Sequence, residues 1–99
     1  MKTKIKINRD LIGLIPEFLN NISINIVELQ KLVLGEDFSG IREIAYKIKG
    51  SGGSYGLYRI SEAGSLIIDA ADKGDIEAIK AQIEDLSEYL DGLEIIEEK

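Results

Sequence analysis

Apolar residues recur every three or four positions along most of the chain, which is the spacing of a helix with one buried face. Four such stretches follow one another. The first ends near Leu34, and Asp37 or Ser39 can cap the second. The third begins after Gly56 and the fourth after Asp75, residue types that end or cap helices. The pattern predicts an all-α fold, an up-down-up-down four-helix bundle with a short N-terminal helical segment.

The chain before the first long helix is predicted to contain a short helix that Asp10 caps and that begins at Leu11. Pro16 lacks a backbone N–H, so a kink or a restart of the helix is expected there. Residues 1–9 alternate apolar and polar as a strand does, but no later segment offers a partner strand. An extended lead-in is therefore predicted for this segment, and a solvated acidic tail for residues 94–98.

Each predicted helix contributes one apolar stripe to the core. The four stripes, in chain order, are Ile15, Leu19, Ile22, Ile26, Leu29 and Val33; Ile41, Ile44, Ala45, Ile48 and Gly52; Leu57, Ile60, Ala63, Gly64, Ile67 and Ala71; and Ile76, Ile79, Ile83, Leu86, Leu90 and Leu93. Gly35 suits the left-handed position that ends the first helix. Ile24 and Val27 lie off the first stripe, so they either bury against a second neighbour or form an exposed apolar patch, which is a typical contact site.

A second face of the second helix is polar and carries Arg42, Tyr46, Lys49 and Gly53. At 3.6 residues per turn, this face lies well away from the core stripe. Tyr46 is therefore predicted to be at least partly exposed, with Lys49 about one turn further along.

The same helix contains three glycines within four positions: Gly50, Gly52 and Gly53. Each interior glycine destabilises a helix by roughly 0.5–1 kcal/mol relative to alanine. The glycines therefore indicate that another backbone approaches closely here, either from a neighbouring helix or from a partner surface. The segment 51–56 either stays helical through Gly53 or loosens into a turn near Ser54.

Composition narrows the possible functions. The net charge of −6 argues against nucleic acid as a partner, because phosphate backbones are bound by basic surfaces. The chain has no cysteine and no histidine, which excludes disulfides, thiolate metal sites and imidazole chemistry. No apolar run approaches the ~18 residues of a membrane span. We expect one cytoplasmic domain spanning residues 1–99, with no membrane contact, no cofactor and no metal.

Residues 45–50, Ala-Tyr-Lys-Ile-Lys-Gly, are followed by a run of small residues and then by Gly56. This spacing resembles the signature of histidine phosphotransfer (HPt) domains, Ala-His-x-x-Lys-Gly. Lys49 and Gly50 match the Lys-Gly pair of that signature, and Tyr46 stands at the position of the phosphoacceptor histidine. Further similarity lies in 14–19 and 66–75, so the resemblance covers about residues 9–92. The HPt fold is also a four-helix bundle.

The resemblance implies a role in two-component phosphorelay signalling, but without transfer of the phosphoryl group. HPt domains accept that group from the aspartyl phosphate of a receiver domain and pass it to another receiver. A phenol ordinarily has a pKa of about 10 and is almost wholly protonated at neutral pH, unlike imidazole, and its phosphate ester is too stable to hand the group on. The chain is thus expected not to be an enzyme. The expected receiver-docking residues are Arg42, Tyr46, Lys49, Gly50 and Gly53.

Other interpretations stay open at this stage. Lys49 is alternatively a solvated surface lysine, and Gly50 a packing residue. Tyr46 alternatively covers a helix surface, replaces histidine by engineering, or accepts phosphate from a tyrosine kinase. The alternative function is a structural module within a larger signalling assembly, with weak self-association through the Ile24 and Val27 side.

Overall fold

The computed structural model describes residues 2–98, so Met1 and Lys99, the ends of the predicted domain, lie outside the described residues. The elements are strand β1 (Thr3–Asn8), a 3-10 turn (Ile12–Leu14), helices α1 (Ile15–Leu34), α2 (Phe38–Ser54), α3 (Tyr58–Asp72) and α4 (Ile76–Asp91), and strand β2 (Leu93–Glu98). The fold is mostly helical with four helices, as predicted. Within residues 2–98, no helix is both long and apolar enough to cross a membrane.

The two strands contradict the prediction of a purely helical fold. β1 pairs with β2 in a parallel sheet, in which Thr3 lies opposite Leu93 and Asn8 lies opposite Glu98. The lead-in is extended and packs Ile7 against the bundle, as predicted, and the glutamates of residues 94–98 are exposed. The prediction that no later segment pairs with this strand was wrong. Ile7 is 3% exposed, so the alternating pattern of β1 reflects a real buried face. β2 was missed because three of its six residues are glutamates, so its apolar residues did not show a clear strand pattern.

The N-terminal helical segment is shorter than predicted. It is a 3-10 turn, and no side chain caps it. Asp10 does not act as the cap, because the N-cap position is Leu11. The Asp10 backbone N–H donates to the Asn8 side-chain oxygen at 2.8 Å. Pro16 lies in the first turn of α1, where a missing N–H leaves no helical hydrogen bond unmade. The expected restart of the helix at this proline is confirmed.

The predicted caps of α2 and α4 are confirmed. The Asp37 carboxylate accepts from the Gly40 N–H at 2.9 Å, and the Asp75 carboxylate accepts from the Ala78 N–H at 3.1 Å. The prediction for Gly35 was wrong, because Gly35 has a φ of −94°. The left-handed position falls one residue later, at Glu36, whose φ is 50°.

The same hydrogen-bond pair closes α1, α2 and α3. At the end of α1, the Asp37 N–H donates to the Leu32 carbonyl at 3.0 Å and the Glu36 N–H donates to the Val33 carbonyl at 3.0 Å. This is the Schellman motif, which places a left-handed residue between helix and loop. Gly56 and Gly74 take that position after α2 and α3, with φ of 73° and 65°. At the end of α1 a glutamate takes it instead.

The buried residues of the four helices form one core cluster with Ile7. The stripe predicted for α2 is confirmed at every position. In α1, Phe18 is buried and Leu19 is only half-buried. Buried residues that the stripes missed are Phe18, Ile68, Ala70 and Tyr89; predicted residues that are only half-buried are Leu19, Ala63, Ile76 and Leu90. Leu93, predicted on the stripe of the fourth helix, lies in β2 instead, because α4 ends at Asp91.

Helices α2 and α3 run antiparallel and approach each other closely at two glycines. A Cβ atom added at Gly52 would lie 2.7 Å from the Ser61 backbone N, and one added at Gly64 would lie 2.8 Å from the Ala45 carbonyl oxygen. Both positions therefore exclude any larger residue without a shift of backbone. This packing holds α2 against the bundle and fixes which of its faces points outward.

Candidate functional site

The candidate site is the polar side of α2, formed by Arg42, Tyr46, Lys49, Gly50 and Gly53; we refer to it as the α2 face. All five residues lie on one helix, as predicted. The Tyr46 side chain is 58% exposed. Lys49, Gly50 and Gly53 are also exposed, and Arg42 is half-buried. The sequence prediction that Tyr46 is at least partly exposed is confirmed.

The backbone beneath the α2 face packs closely against α3. The close approach of α3 at Gly64 lies directly beneath Lys49, whose backbone N would be 2.8 Å from a Cβ at that glycine. Ala45 and Ile48, on either side of this contact, are fully buried. The helix cannot rotate without breaking this contact, so Lys49 and Tyr46 stay on the outer surface.

The glycines of this segment divide into two kinds. Gly52 is a packing residue, as its contact with α3 shows. A Cβ atom added at Gly50 would meet no atom within 4 Å, and one added at Gly53 would meet only the Ser61 hydroxyl at 3.8 Å. The fold does not need glycine at either position, so the interpretation of Gly50 as a packing residue is wrong. Both glycines leave bare helix backbone on the α2 face.

Two serines support this glycine-rich end of the helix. The Ser51 hydroxyl donates to the Lys47 carbonyl at 2.8 Å, and the Ser54 hydroxyl donates to the Gly50 carbonyl at 3.0 Å. The helix consequently continues through Ser54, one residue beyond the range predicted. Tyr55 then packs its ring 4.7 Å from that of Phe18 on α1, which ties the end of α2 to the core.

Of the two cations on the α2 face, Arg42 and Lys49, one is already in an ion pair. The Arg42 guanidinium forms an ion pair with Asp72 at the end of α3, with a distance of 3.1 Å. Such an exposed pair contributes only about 0–1 kcal/mol, but it occupies the arginine. Within residues 2–98, neither Lys47 nor Lys49 forms an ion pair. Lys49, one turn from Tyr46, is therefore the cation of the α2 face that has no ion-pair partner among residues 2–98.

The α2 face combines groups that are common in molecular recognition. It offers an aromatic ring, an ammonium group and two bare stretches of backbone. Tyrosine combines a large apolar area with a polar tip and is common in the centres of protein interfaces. Among residues 2–98, no group of three or more carboxylates is placed to hold a metal ion.

A second concave region lies between α3 and α4, where sequence analysis had predicted no functional residue. It has a volume of about 180 Å³ and is lined in part by Arg59, Glu62, Asp85 and Tyr89. The Arg59 guanidinium lies 5.1 Å from the centre of the Tyr89 ring, in a cation–π arrangement. Burial raises the pKa of Tyr89 above its usual value, and the charge of Arg59 opposes that change.

This region is less suited to a ligand than the α2 face, because Arg59 already covers the aromatic ring. Sequence analysis missed the pair since its two members belong to different helices, 30 positions apart. Only the pairing of α3 with α4 brings them together.

No family model, curated protein or solved structure matches this chain.

Proposed function

We propose that this chain is an HPt-like domain that binds receiver domains of two-component systems without carrying a phosphoryl group. The observation that supports this most is the arrangement on α2. An exposed Tyr46 stands beside Lys49 and an open Gly50 at the HPt spacing, in a chain that has no histidine. By binding receivers, the chain would compete with active HPt domains for them. We therefore also propose a cytoplasmic location for the chain.

Recognition without transfer follows from the chemistry of the acceptor. A relay needs a group that is nucleophilic near neutral pH and whose phosphorylated form remains reactive. Imidazole meets both requirements, and a protonated phenol meets neither. The docking surface depends on other properties, namely shape, charge and access to backbone, and these are present on the α2 face.

Gly50 and Gly53 supply the access that docking requires. Neither residue is needed for packing within the chain, yet each lowers the stability of an exposed helix. A partner that lies close against the α2 backbone gives a reason for both. Lys49 adds a charge that matches an acidic cleft, and Tyr46 adds an aromatic anchor at the centre.

We also propose that the four helices follow an up-down-up-down order. Residues near the start of α1, Leu14 and Phe18, line one surface cavity with Ser51 and Tyr55 at the end of α2. The other end of α1, at Leu34, lines a cavity with Lys80, near the start of α4. Both neighbours of α1 are thus antiparallel to it, which supports the order expected for an HPt-like bundle.

The direct test is a titration of the isotope-labelled chain with purified receiver domains, followed by NMR. Docking on the α2 face is expected to shift the backbone signals of Tyr46, Lys49, Gly50 and Gly53, while signals on α4 stay in place. If none of a broad panel of receivers perturbs these signals, receiver docking is excluded.

A pair of glycine variants separates docking from folding. Gly50→Leu adds a side chain where the fold leaves open space, so the variant should fold and fail to bind receivers. Gly13 is a matched control, because a Cβ added there also meets no atom within 4 Å and the residue lies in the 3-10 turn, outside the α2 face. Gly13→Leu should bind normally. Equal binding by both variants would place the docking surface elsewhere.

The variant Tyr46→His tests the link to phosphotransfer. If the rest of the α2 face is intact, the new imidazole should accept the phosphoryl group from a radiolabelled receiver aspartyl phosphate. The parent chain should remain unlabelled in the same reaction. A variant that binds receivers but stays unlabelled would mean that the α2 face does not present residue 46 to the aspartyl phosphate.

Self-association remains the second candidate function, and one observation favours it. Ile24 is 50% exposed, Val27 49% and Leu34 87%, all on the outer side of α1. Within residues 2–98, Ile24 and Val27 both stay about half exposed, and Val27 borders a groove shared with Leu90 and Asp91 of α4. They are therefore the exposed apolar patch that sequence analysis had left as one of two possibilities.

A further inference from the structure

The outer side of α1 carries a stripe that has the spacing of a helix–helix seam. The exposed residues Ile24, Val27, Lys31 and Leu34 follow one another at steps of three, four and three. Ile24 and Lys31 are seven positions apart, and so are Val27 and Leu34. This is the alternation by which two helices pack along a shared seam. We name these four residues the α1 stripe.

We propose that the α1 stripe binds the same stripe of a second copy of this chain, with the two α1 helices antiparallel. The charges on the stripe favour a second copy in this one orientation. In a two-fold arrangement centred near residue 29, Ile24 faces Leu34 of the second copy and Lys31 faces Val27 of the second copy. All the apolar residues of the stripe are then covered.

The position of Lys31 selects the antiparallel orientation. In a parallel pair, the two Lys31 ammonium groups would face each other across the seam and repel. In the antiparallel pair they are displaced by about 6 Å along the axis, at 1.5 Å per residue. Glu28 is exposed next to Val27. Measured along the helix axis, it is displaced from Lys31 of the second copy by only about 1.5 Å. Each lysine therefore lies beside an opposite charge.

The charged residues beside the α1 stripe are also complementary between the two copies. An open groove between α1 and α4 borders the stripe, and its two halves have volumes of about 400 and 220 Å³. Lys80 and Glu84 line the half that contains Leu34, and Asp91 lines the half that contains Val27. The two-fold arrangement brings the Lys80 end of one copy to the Asp91 end of the other.

The size of the patch predicts a weak dimer. α1 is about 30 Å long, and only its outer stripe and the adjoining groove are available. Contacts smaller than the standard protein interface are usually weak, so we expect a dissociation constant on the order of 0.1 mM. The α2 face contains none of these residues, so the inference does not rest on receiver binding.

Sedimentation equilibrium of the full chain over a range around this concentration tests the proposal. The expected result is a reversible monomer–dimer equilibrium. A strict monomer at every concentration would overturn the proposal and indicate that the α1 stripe does not bind a second copy. Val27→Lys should weaken association at least tenfold. Leu66→Lys is the matched control, because Leu66 is 40% exposed on α3 and should leave association unchanged. The opposite ranking of the two variants would overturn the proposal.

A charge exchange tests the orientation. Lys31→Glu and Glu28→Lys should each weaken the dimer several-fold, because each places like charges side by side across the seam. The double variant restores opposite charges and should recover most of the parent association. Failure of the double variant to recover would overturn the antiparallel arrangement. Circular dichroism melting checks that every variant keeps its fold, as expected for exposed positions.

Discussion

At the scale of single residues, glycine serves three different purposes in this chain. Gly52 and Gly64 allow two helix backbones to meet, Gly56 takes a left-handed turn, and Gly50 does neither. The sequence alone shows only a cluster of glycines near the middle of the chain. Packing distances are needed to tell which of them the fold requires and which it does not.

This distinction predicts opposite effects for the same substitution. Gly52→Ala should lower the free energy of unfolding by about 1–3 kcal/mol, because the new methyl group would press on the α3 backbone. Gly50→Ala should raise it by about 0.5–1 kcal/mol, because alanine is the better helix former and the space is open. Urea unfolding of the two variants measures both. Equal effects would mean that α2 and α3 are not as closely packed as described.

Tyr89 predicts a loss of stability in alkali. Because burial raises its pKa in the folded chain, the unfolded chain releases this proton first as the pH rises. The folded state then binds more protons, so the free energy of unfolding should fall above about pH 10 and be unaffected near neutrality. Tyr89→Phe should remove this part of the decline in urea unfolding, while Tyr58→Phe, at a residue 74% exposed, should not. Identical alkaline profiles for parent and Tyr89→Phe would contradict the assignment.

At the scale of secondary-structure elements, the helices followed from sequence and the strands did not. The 3.6-residue period of α2 is clear over seventeen residues, and Asp37 marks its start. The alternation of β1 was visible in the sequence, but β2 has only six residues, three of them glutamates, and gave no comparable pattern. A strand is also defined by its partner, and here the partner lies at the other end of the chain.

The α2 face was predictable for a related reason. Tyr46, Lys49 and Gly50 lie on one helix, so their relative positions follow from helical geometry alone. The Arg59–Tyr89 contact and the groove beside the α1 stripe depend on how different helices pack. Local spacing carries no information about such packing, and these features required the structure.

The sheet predicts that β1 stabilises the whole chain. Ile7→Ala should lower the free energy of unfolding by about 2–4 kcal/mol, because it removes a side chain that is 3% exposed in the core. The neighbouring Lys6→Ala, at an exposed position, should change it by less than about 0.5 kcal/mol. Urea unfolding measures both, and hydrogen exchange of the β2 amides should speed up only in the first variant. A small effect of Ile7→Ala would mean that β1 is not packed on the bundle.

At the scale of the whole molecule, the two proposed surfaces lie on different helices and do not compete. The α2 face is proposed to meet a receiver, and the α1 stripe a second copy of the chain. A dimer formed through α1 would therefore present two α2 faces at once. Bivalent binding of this kind raises the overall affinity for a clustered partner without any new contact.

The parallel sheet also determines how the molecule would respond to mechanical force. Because β1 and β2 run in the same direction, the chain before Thr3 leaves one end of the sheet and the chain after Glu98 leaves the opposite end. Tension applied through these two ends acts along the strands, so the hydrogen bonds between them are strained together in shear instead of being peeled apart in turn. The bundle would begin to stretch only after this small clamp had ruptured.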